Sequence, residues 1–229
     1  MTDRRAAPGS EPTGNRTKVT RAEWLQAALD TLRSDGIDHV RIQTIAQRLD
    51  VARSSFYWYF QSRENLLDEL LGCWSSTNTA SIVARAARPA DTITAAVIGI
   101  FEVWSDPSLF DPQLDFAVRD WAKRDASVAG SVAAADAARL GAIEAMYERH
   151  GFDDPVVWAC VLYLMQVGYY ALGIVEPAAA RLAYTPAYLR AMTGREASPA
   201  ELDRFAEHLR LEPSQPDLNN LNPTERAPS

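Results

Sequence analysis

The chain has 229 residues, with 23 Lys and Arg against 30 Asp and Glu and a formal net charge of -7, which describes an acidic protein of one or two domains. At 47% hydrophobic and 23% charged residues it carries enough apolar material for a core, which excludes disorder for the chain as a whole. Its two cysteines, Cys73 and Cys160, are far apart and outside any Cys-x-x-Cys pair, which excludes a disulfide framework and a zinc module and fits a reduced, cytoplasmic interior.

Residues 1–17 are polar, with Pro8, Gly9, Pro12 and Gly14. They read as a mobile arm with no secretory signal. Thr20-Arg21-Ala22-Glu23 is a capping box ahead of an apolar face of Leu25, Ala28, Leu29 and Leu32, and Gly36 supplies the stop. The predicted helices run over 20–35, 42–49, 53–59, 63–86, 91–104, 112–127, 131–150, 155–175, 186–193 and 199–210. Asp106-Pro107, Asp111-Pro112 and Asp154-Pro155 each place a capping acceptor before a ring that presets the first turn, so each is expected to start a helix. Thr185-Pro186 and Ser198-Pro199 repeat the device, Glu201 completes a second capping box, and Gly151 and Gly194 mark helix ends. Strand alternation is not convincing anywhere, so the fold class is all-α. The domains expected are a helix-turn-helix unit over 18–65, a helical body over 66–211 and a mobile tail over 212–229.

The 20 uncharged residues from Val156 to Val175 have the length of a membrane span. The run contains Gln166, Gly168 and Gly173, is flanked by Asp153, Asp154 and Glu176, and lacks a Lys or Arg anchor, so a helix buried among helices or across a dimer interface fits better than a membrane.

Residues 37–67 read IDHVRIQTIAQRLDVARSSFYWYFQSRENLL, two short helices around a tight turn and then a longer one. Ile45, Ala46, Leu49, Val51, Phe56 and Phe60 can form one small core, with Ala46 allowing a close crossing. The second short helix then turns Arg53, Ser54, Ser55, Tyr57 and Trp58 outward. A forked donor suits guanine O6 and N7, hydroxyls suit base edges or phosphates, and Tyr57 suits a phosphate. Arg63, at the start of the next helix, combines a cation with free backbone N–H groups.

The stretch TIAQRLDVARSSFYWYFQSRENLLDEL, with its Ile-Ala pair, Leu-x-Val turn, Phe-Tyr-x-Tyr-Phe cluster and basic residue before Leu-Leu, resembles the DNA-binding domain of TetR-family transcriptional regulators. The resemblance covers about residues 18–72. It implies that Arg53, Ser54 and Ser55 read bases, that Tyr57 binds phosphate, that Arg63 replaces a phosphate-binding lysine, and that Gln43 contacts DNA. Two positions depart from the family pattern. Asp50 stands where the turn usually carries glycine and must accept a left-handed backbone. Arg41 stands where Ser or Thr usually begins the first short helix, offering a cationic contact in place of a hydroxyl. Trp58 completes the candidate DNA-binding set.

Between Arg16 and Arg63 there are eight Lys and Arg against five Asp and Glu, net +3, leaving -10 for the rest. A weakly basic head on an acidic body limits nonspecific DNA binding, and Arg4, Arg5, Arg16 and Lys18 in the arm are candidates for phosphate or minor-groove contacts. A single head reads only a half-site, so specific binding calls for two heads about 34 to 36 Å apart or a multiple. The expected homodimer seam is the helix 131–150, with Ala133, Ala134, Ala135, Ala137, Ala138 and Ala142, together with the uncharged helix 155–175, where Gly168 and Gly173 permit close approach. The resemblance implies a two-fold four-helix bundle there, and a small-molecule effector pocket in the body whose occupancy releases double-stranded DNA.

Aromatics concentrated in the body make Trp74, Phe101, Trp104, Phe116, Trp121, Trp158, Tyr163 and Tyr170 candidate pocket residues, with Asn78, Gln166 or a tyrosine hydroxyl to orient the ligand. Rings at helical spacing are also what a core uses. Apolar walls with few charges favour a hydrophobic or aromatic effector.

An enzyme is not expected. His39, His150 and His208 are isolated, no nucleophile, phosphate-loop or metal motif is present, and Asp115, Arg119 and Asp120 read as a salt-bridged helix face. No cofactor or metal is implied. The competing reading is a helical ligand-binding or architectural protein without operator specificity.

Overall fold

The computed structural model describes residues 19–174 and 176–210. The arm carrying Arg4, Arg5, Arg16 and Lys18, and the tail over 212–229, lie outside the described residues. Among the described residues ten α-helices follow in order: α1 Arg21–Asp35, α2 Ile42–Arg48, α3 Arg63–Trp74, α4 Ala80–Ala86, α5 Ile93–Ser105, α6 Pro112–Ala122, α7 Ala126–Arg149, α8 Pro155–Ala171, α9 Ala178–Thr193 and α10 Pro199–His208. No strand occurs among the described residues, and no helix there is long and apolar enough to cross a membrane.

Both capping boxes form. Thr20 and Glu23 exchange side-chain and backbone bonds at the start of α1, and Ser198 and Glu201 do the same at α10. Gly36 closes α1 at φ 79°, while Asp111 caps α6 by accepting from Leu114 N at 3.0 Å. Asp50 takes the left-handed turn after α2 at φ 53°.

Several boundaries differ from expectation, each for a local reason. Asp106 starts no helix. Its carboxylate accepts from the Ser108 backbone and hydroxyl, and the chain makes a single turn before Asp111-Pro112 begins α6. Asp154 precedes α8 in a left-handed conformation and makes no side-chain cap. Thr185-Pro186 lies inside α9. The Ala-rich run from Ala178 starts the helix two turns earlier, and the proline is absorbed at the cost of one backbone bond. Asp125 accepts from Ser127 N and Val128 N, so α6 stops at Ala122 and α7 begins at Ala126 rather than 131. Gly173, expected at a helix contact, instead adopts φ 61° beyond the end of α8, with its N–H bonded to the Tyr170 carbonyl. The helix expected over 63–86 is α3 and α4 joined by a π turn, Ser75–Thr79, which directs Asn78 and Thr79 into the interior.

Two apolar clusters share α7. The first joins Trp24, Ala28, Leu32, Ile45, Ala46, Phe56, Phe60, Leu66 and Leu70 of the N-terminal head to Leu114, Val118 and Trp121 of α6 and Ala135 of α7. Leu49 and Val51 pack on it half-buried. The second unites α4, α5, α8, α9 and α10 around Ile143, Met146 and Tyr147 of α7. Each fully buried Leu, Ile or Phe contributes about 1.5–3 kcal/mol.

Candidate nucleic-acid interface and ligand cavity

The head is α1, α2, a 3-10 turn over Arg53–Trp58 and α3. The second short helix is therefore a tighter helix than expected. Phe56 is its buried anchor, set edge-on to Trp24 and stacked on Phe60. That anchor leaves Arg53 and Ser54 exposed, Tyr57 53% exposed and Trp58 65% exposed. Ser55 is half-buried, and its hydroxyl donates to the Ala52 carbonyl at 2.7 Å, leaving its oxygen lone pairs for incoming donors. On α2, Gln43 is exposed, and exposed Arg41 donates from Nε to the Asp38 carbonyl at 2.7 Å. Arg63 is half-buried, with Nε on the Val40 carbonyl at 2.7 Å and Nη2 on the Ile37 carbonyl at 3.4 Å, so it clamps the segment leading into α2.

Pairing divides the head's cations in a way that sequence could not. Arg21 bridges Glu69, Arg33 bridges Asp30 and Asp111, and Arg48 bridges Asp35. Arg41, Arg53 and Arg63 form no ion pair among the described residues. Their charge is not cancelled by a carboxylate there, and Arg53 shares the 3-10 turn with the exposed rings of Tyr57 and Trp58.

A cavity of about 420 Å³ opens between α5, α8, α9 and α10. Of the expected pocket residues it brings together Phe101, Trp104, Gln166 and Tyr170. The others lie elsewhere. Trp121 is in the head-side cluster, Trp158 packs on Tyr147 and Phe152, and Phe116 is half-buried on α6. Asn78 is fully buried and clamps Asp111, donating to its carbonyl at 2.8 Å and accepting from its N–H at 3.2 Å. The cavity also gathers residues that spacing along the sequence did not single out, notably Arg181, Tyr188 and Phe205. Arg181 was hidden because Thr185-Pro186 reads as a helix start and leaves it in an apparent loop. Burial pushes the Tyr170 hydroxyl up to about 12, so it stays protonated and donates to the Trp104 carbonyl at 2.7 Å.

Trp74 and Tyr163 belong to a polar junction where the two apolar clusters meet. Arg139, 1% exposed, donates to Thr79 Oγ1 at 3.1 Å, to the Tyr163 hydroxyl at 3.1 Å and to Asp115 Oδ1 at 2.9 Å. Asp115 also accepts from Trp74 Nε1 at 2.8 Å and from Arg119 Nε at 2.8 Å. Arg119 grips Asp136 through two nitrogens, at 2.8 and 2.6 Å. Burial raises the Asp115 carboxyl's affinity for a proton, but the adjoining Arg139 and Arg119 outweigh it and hold the group below the usual carboxylate range. The charged face foreseen on α6 is thus an internal ion-pair network, while Asp120 pairs with Lys123 at the surface.

A third feature is a stripe on α8 where Val157, Val161, Leu164 (61% exposed) and Met165 are uncovered, followed by Leu172 (78% exposed) and Ile174. Exposed Ala133, Ala134, Ala137 and Ala138 lie on α7, whereas Ala135 points inward. Met165, Leu172 and Ile174 line the cavity as well.

Residues 25–70 match the family model described as bacterial regulatory proteins, tetR family. Over 70 residues the chain is 34% identical to the tetracycline repressor protein class A from transposon 1721 of Escherichia coli, a match covering 31% of this chain and 32% of that repressor. Over 54 residues it is 35% identical to the tetracycline repressor protein class G of Vibrio anguillarum, covering 24% of this chain and 26% of that one. The chain thus matches about a third of the first curated relative and a quarter of the second. Two solved structures extend the likeness through the body. Salmonella enterica GusR aligns with a TM-score of 0.52 at 14% identity, covering 83% of this chain and 95% of that one. A Mesorhizobium loti protein provisionally assigned to the TetR-family transcriptional regulators aligns with a TM-score of 0.51 at 16% identity, covering 82% and 95%. At these identities the likeness concerns the fold. Residues 25–70 thus carry the N-terminal domain of the tetR family of bacterial regulatory proteins, and the described fold as a whole is similar to that of those two solved structures.

Proposed function

We propose that the chain is a cytoplasmic, sequence-specific regulator that binds a palindromic operator as a homodimer and is released from it by a small, largely apolar effector. The observation that carries this reading is the 3-10 turn of the head on which Arg53, without an ion pair among the described residues, stands with exposed Tyr57 and Trp58. Arg53, Ser54 and Ser55 are the base-reading group, and Arg41, Gln43, Tyr57, Trp58 and Arg63 bind or align the backbone. The names of the two curated relatives favour repression. Residues 1–17 and 212–229 serve as flanking arms to the head over 18–65 and the body over 66–211.

The seam is the apolar stripe of α8 with the exposed alanines of α7, pairing with the same surface of a second copy. Because Met165, Leu172 and Ile174 belong both to this stripe and to the cavity, an occupant of the cavity presses on the seam that sets the distance between heads. Tyr163 on α8 is bonded into the junction, which reaches α3 of the head through Trp74. An effector favouring the DNA-incompetent arrangement shifts the population toward it.

Titration of the full chain against a palindromic duplex from the region upstream of its gene and a random duplex, at matched salt, tests the reading. Operator binding at nanomolar level, with the random duplex about 10³-fold or more weaker, is expected. Equal affinity for the two would overturn sequence-specific regulation, and a monomer in sedimentation at micromolar concentration would overturn the seam.

A further inference from the structure

We propose that the cavity selects amphipathic monoanions, molecules with a ring-bearing apolar body and one carboxylate that pairs with the Arg181 guanidinium. The proposal rests on the cavity being the effector site and adds the chemical class of the effector.

The walls are mostly rings, Phe101, Trp104, Tyr169, Tyr170, Tyr188 and Phe205, which suit an apolar body. The polar groups in those walls are nearly all committed. Ser105 donates to the Phe101 carbonyl at 2.6 Å, Thr185 to the Arg181 carbonyl at 2.9 Å, and Tyr170 to the Trp104 carbonyl at 2.7 Å. Tyr169 donates to Glu176 Oε2 at 3.1 Å, and Gln166 lies on the Tyr170 hydroxyl.

Arg181 is the charged exception. It is half-buried, its Nε is shielded from solvent without a hydrogen-bond partner, and no carboxylate lies within 4 Å of its guanidinium among the described residues. Its side chain donates a hydrogen bond to the Tyr169 hydroxyl, a neutral group shared with Glu176 that leaves the guanidinium without a direct ion pair among the described residues. The interior arginines behave differently, since Arg119 and Arg139 each hold carboxylates. A partly desolvated guanidinium beside apolar rings lacks the compensation that buried charge requires, and a ligand carboxylate supplies it in a bidentate pair. No Asp or Glu lines the cavity, so its lining carries the single positive charge of Arg181. One cation in a site of about 420 Å³ matches one anionic head on a bulky body, and leaves a bare inorganic anion with most of the space unfilled.

The test compares 4-phenylbenzoate with 4-phenylbenzamide, a pair alike in shape and different in charge, by calorimetry on the full chain without DNA. The acid is expected to bind about tenfold or more tighter than the amide. Arg181→Gln is expected to erase the difference and Arg181→Lys to retain part of it. Equal binding of acid and amide by the wild-type protein overturns the proposal, as does a preference that survives Arg181→Gln, or no binding of the acid at millimolar concentration. The wild-type comparison stands even if a variant fails to fold. Acid-selective binding by a protein that ignores operator DNA would sink the regulatory reading alone. DNA release by the amide as effective as by the acid would sink the anion preference alone.

Discussion

Arg139 and Arg53 carry the same side chain into opposite circumstances. Arg139 is 1% exposed and each of its three guanidinium nitrogens has a partner, so its charge belongs to the fold. Arg53 is exposed and lacks an ion pair among the described residues, so the folded chain gains nothing evident from it. A buried charge persists only when it is paired, whereas an unpaired one on the rim is available to something outside the chain. The junction and the rim should therefore respond to mutation in different observables, stability at one and DNA discrimination at the other.

The largest effect should come from the junction. Asp115→Ala leaves Arg139 short of its carboxylate and Trp74 Nε1 without its acceptor, and is expected to lower unfolding free energy by about 3 to 5 kcal/mol in chemical denaturation. A loss below about 1 kcal/mol would mean that the network is not what joins the two clusters. Next comes the rim, where Arg53→Ala is expected to weaken operator over random duplex by about 1 to 3 kcal/mol. The thermal midpoint should stay put. A lowered midpoint with intact discrimination would make Arg53 a structural residue and break the contrast.

Glu201 is a second buried carboxylate that the fold keeps ionised. Burial raises the proton affinity of Glu201, but hydrogen bonds from Thr92, the Ser198 backbone and hydroxyl, and Thr94 prevail and bring its pKa from the ordinary 4.5 to about 2. A carboxyl lowered in the folded state stabilises fully above the unfolded value, and that contribution disappears as pH falls toward the folded one. The stability gap between wild type and Glu201→Gln should accordingly be widest near pH 7 and narrow from about 4.5 toward 2. A gap independent of pH would show that Glu201 acts through packing rather than charge.

Much of the head was legible because its signals are local. The Thr20 capping box, the Gly36 stop and the Asp50 turn each involve residues within a few positions of one another, and the same holds for the Ser198 capping box in the body. Phe56 and Phe60 are large apolar rings close together in the chain and read as core, and both are buried and stacked on each other, Phe56 in the 3-10 turn and Phe60 just beyond it. Local signals failed where two of them competed. Thr185-Pro186 looks like a start, yet the Ala-rich run before it nucleates α9 earlier and carries Arg181 to the cavity wall.

Sequence by itself determined an all-α chain, a helix-turn-helix head and the residues on its outward edge, since each follows from periodicity, caps and turns over a handful of residues. Tertiary structure alone decided which arginines are neutralised, which aromatics are core and which line a cavity. Trp74 meets Asp115 across 41 positions, Arg139 meets Thr79 across 60, and Tyr170 meets Trp104 across 66. Such partners are set by how helices pack, and a guanidinium or an indole reads identically in the chain whether or not a distant helix brings it a partner.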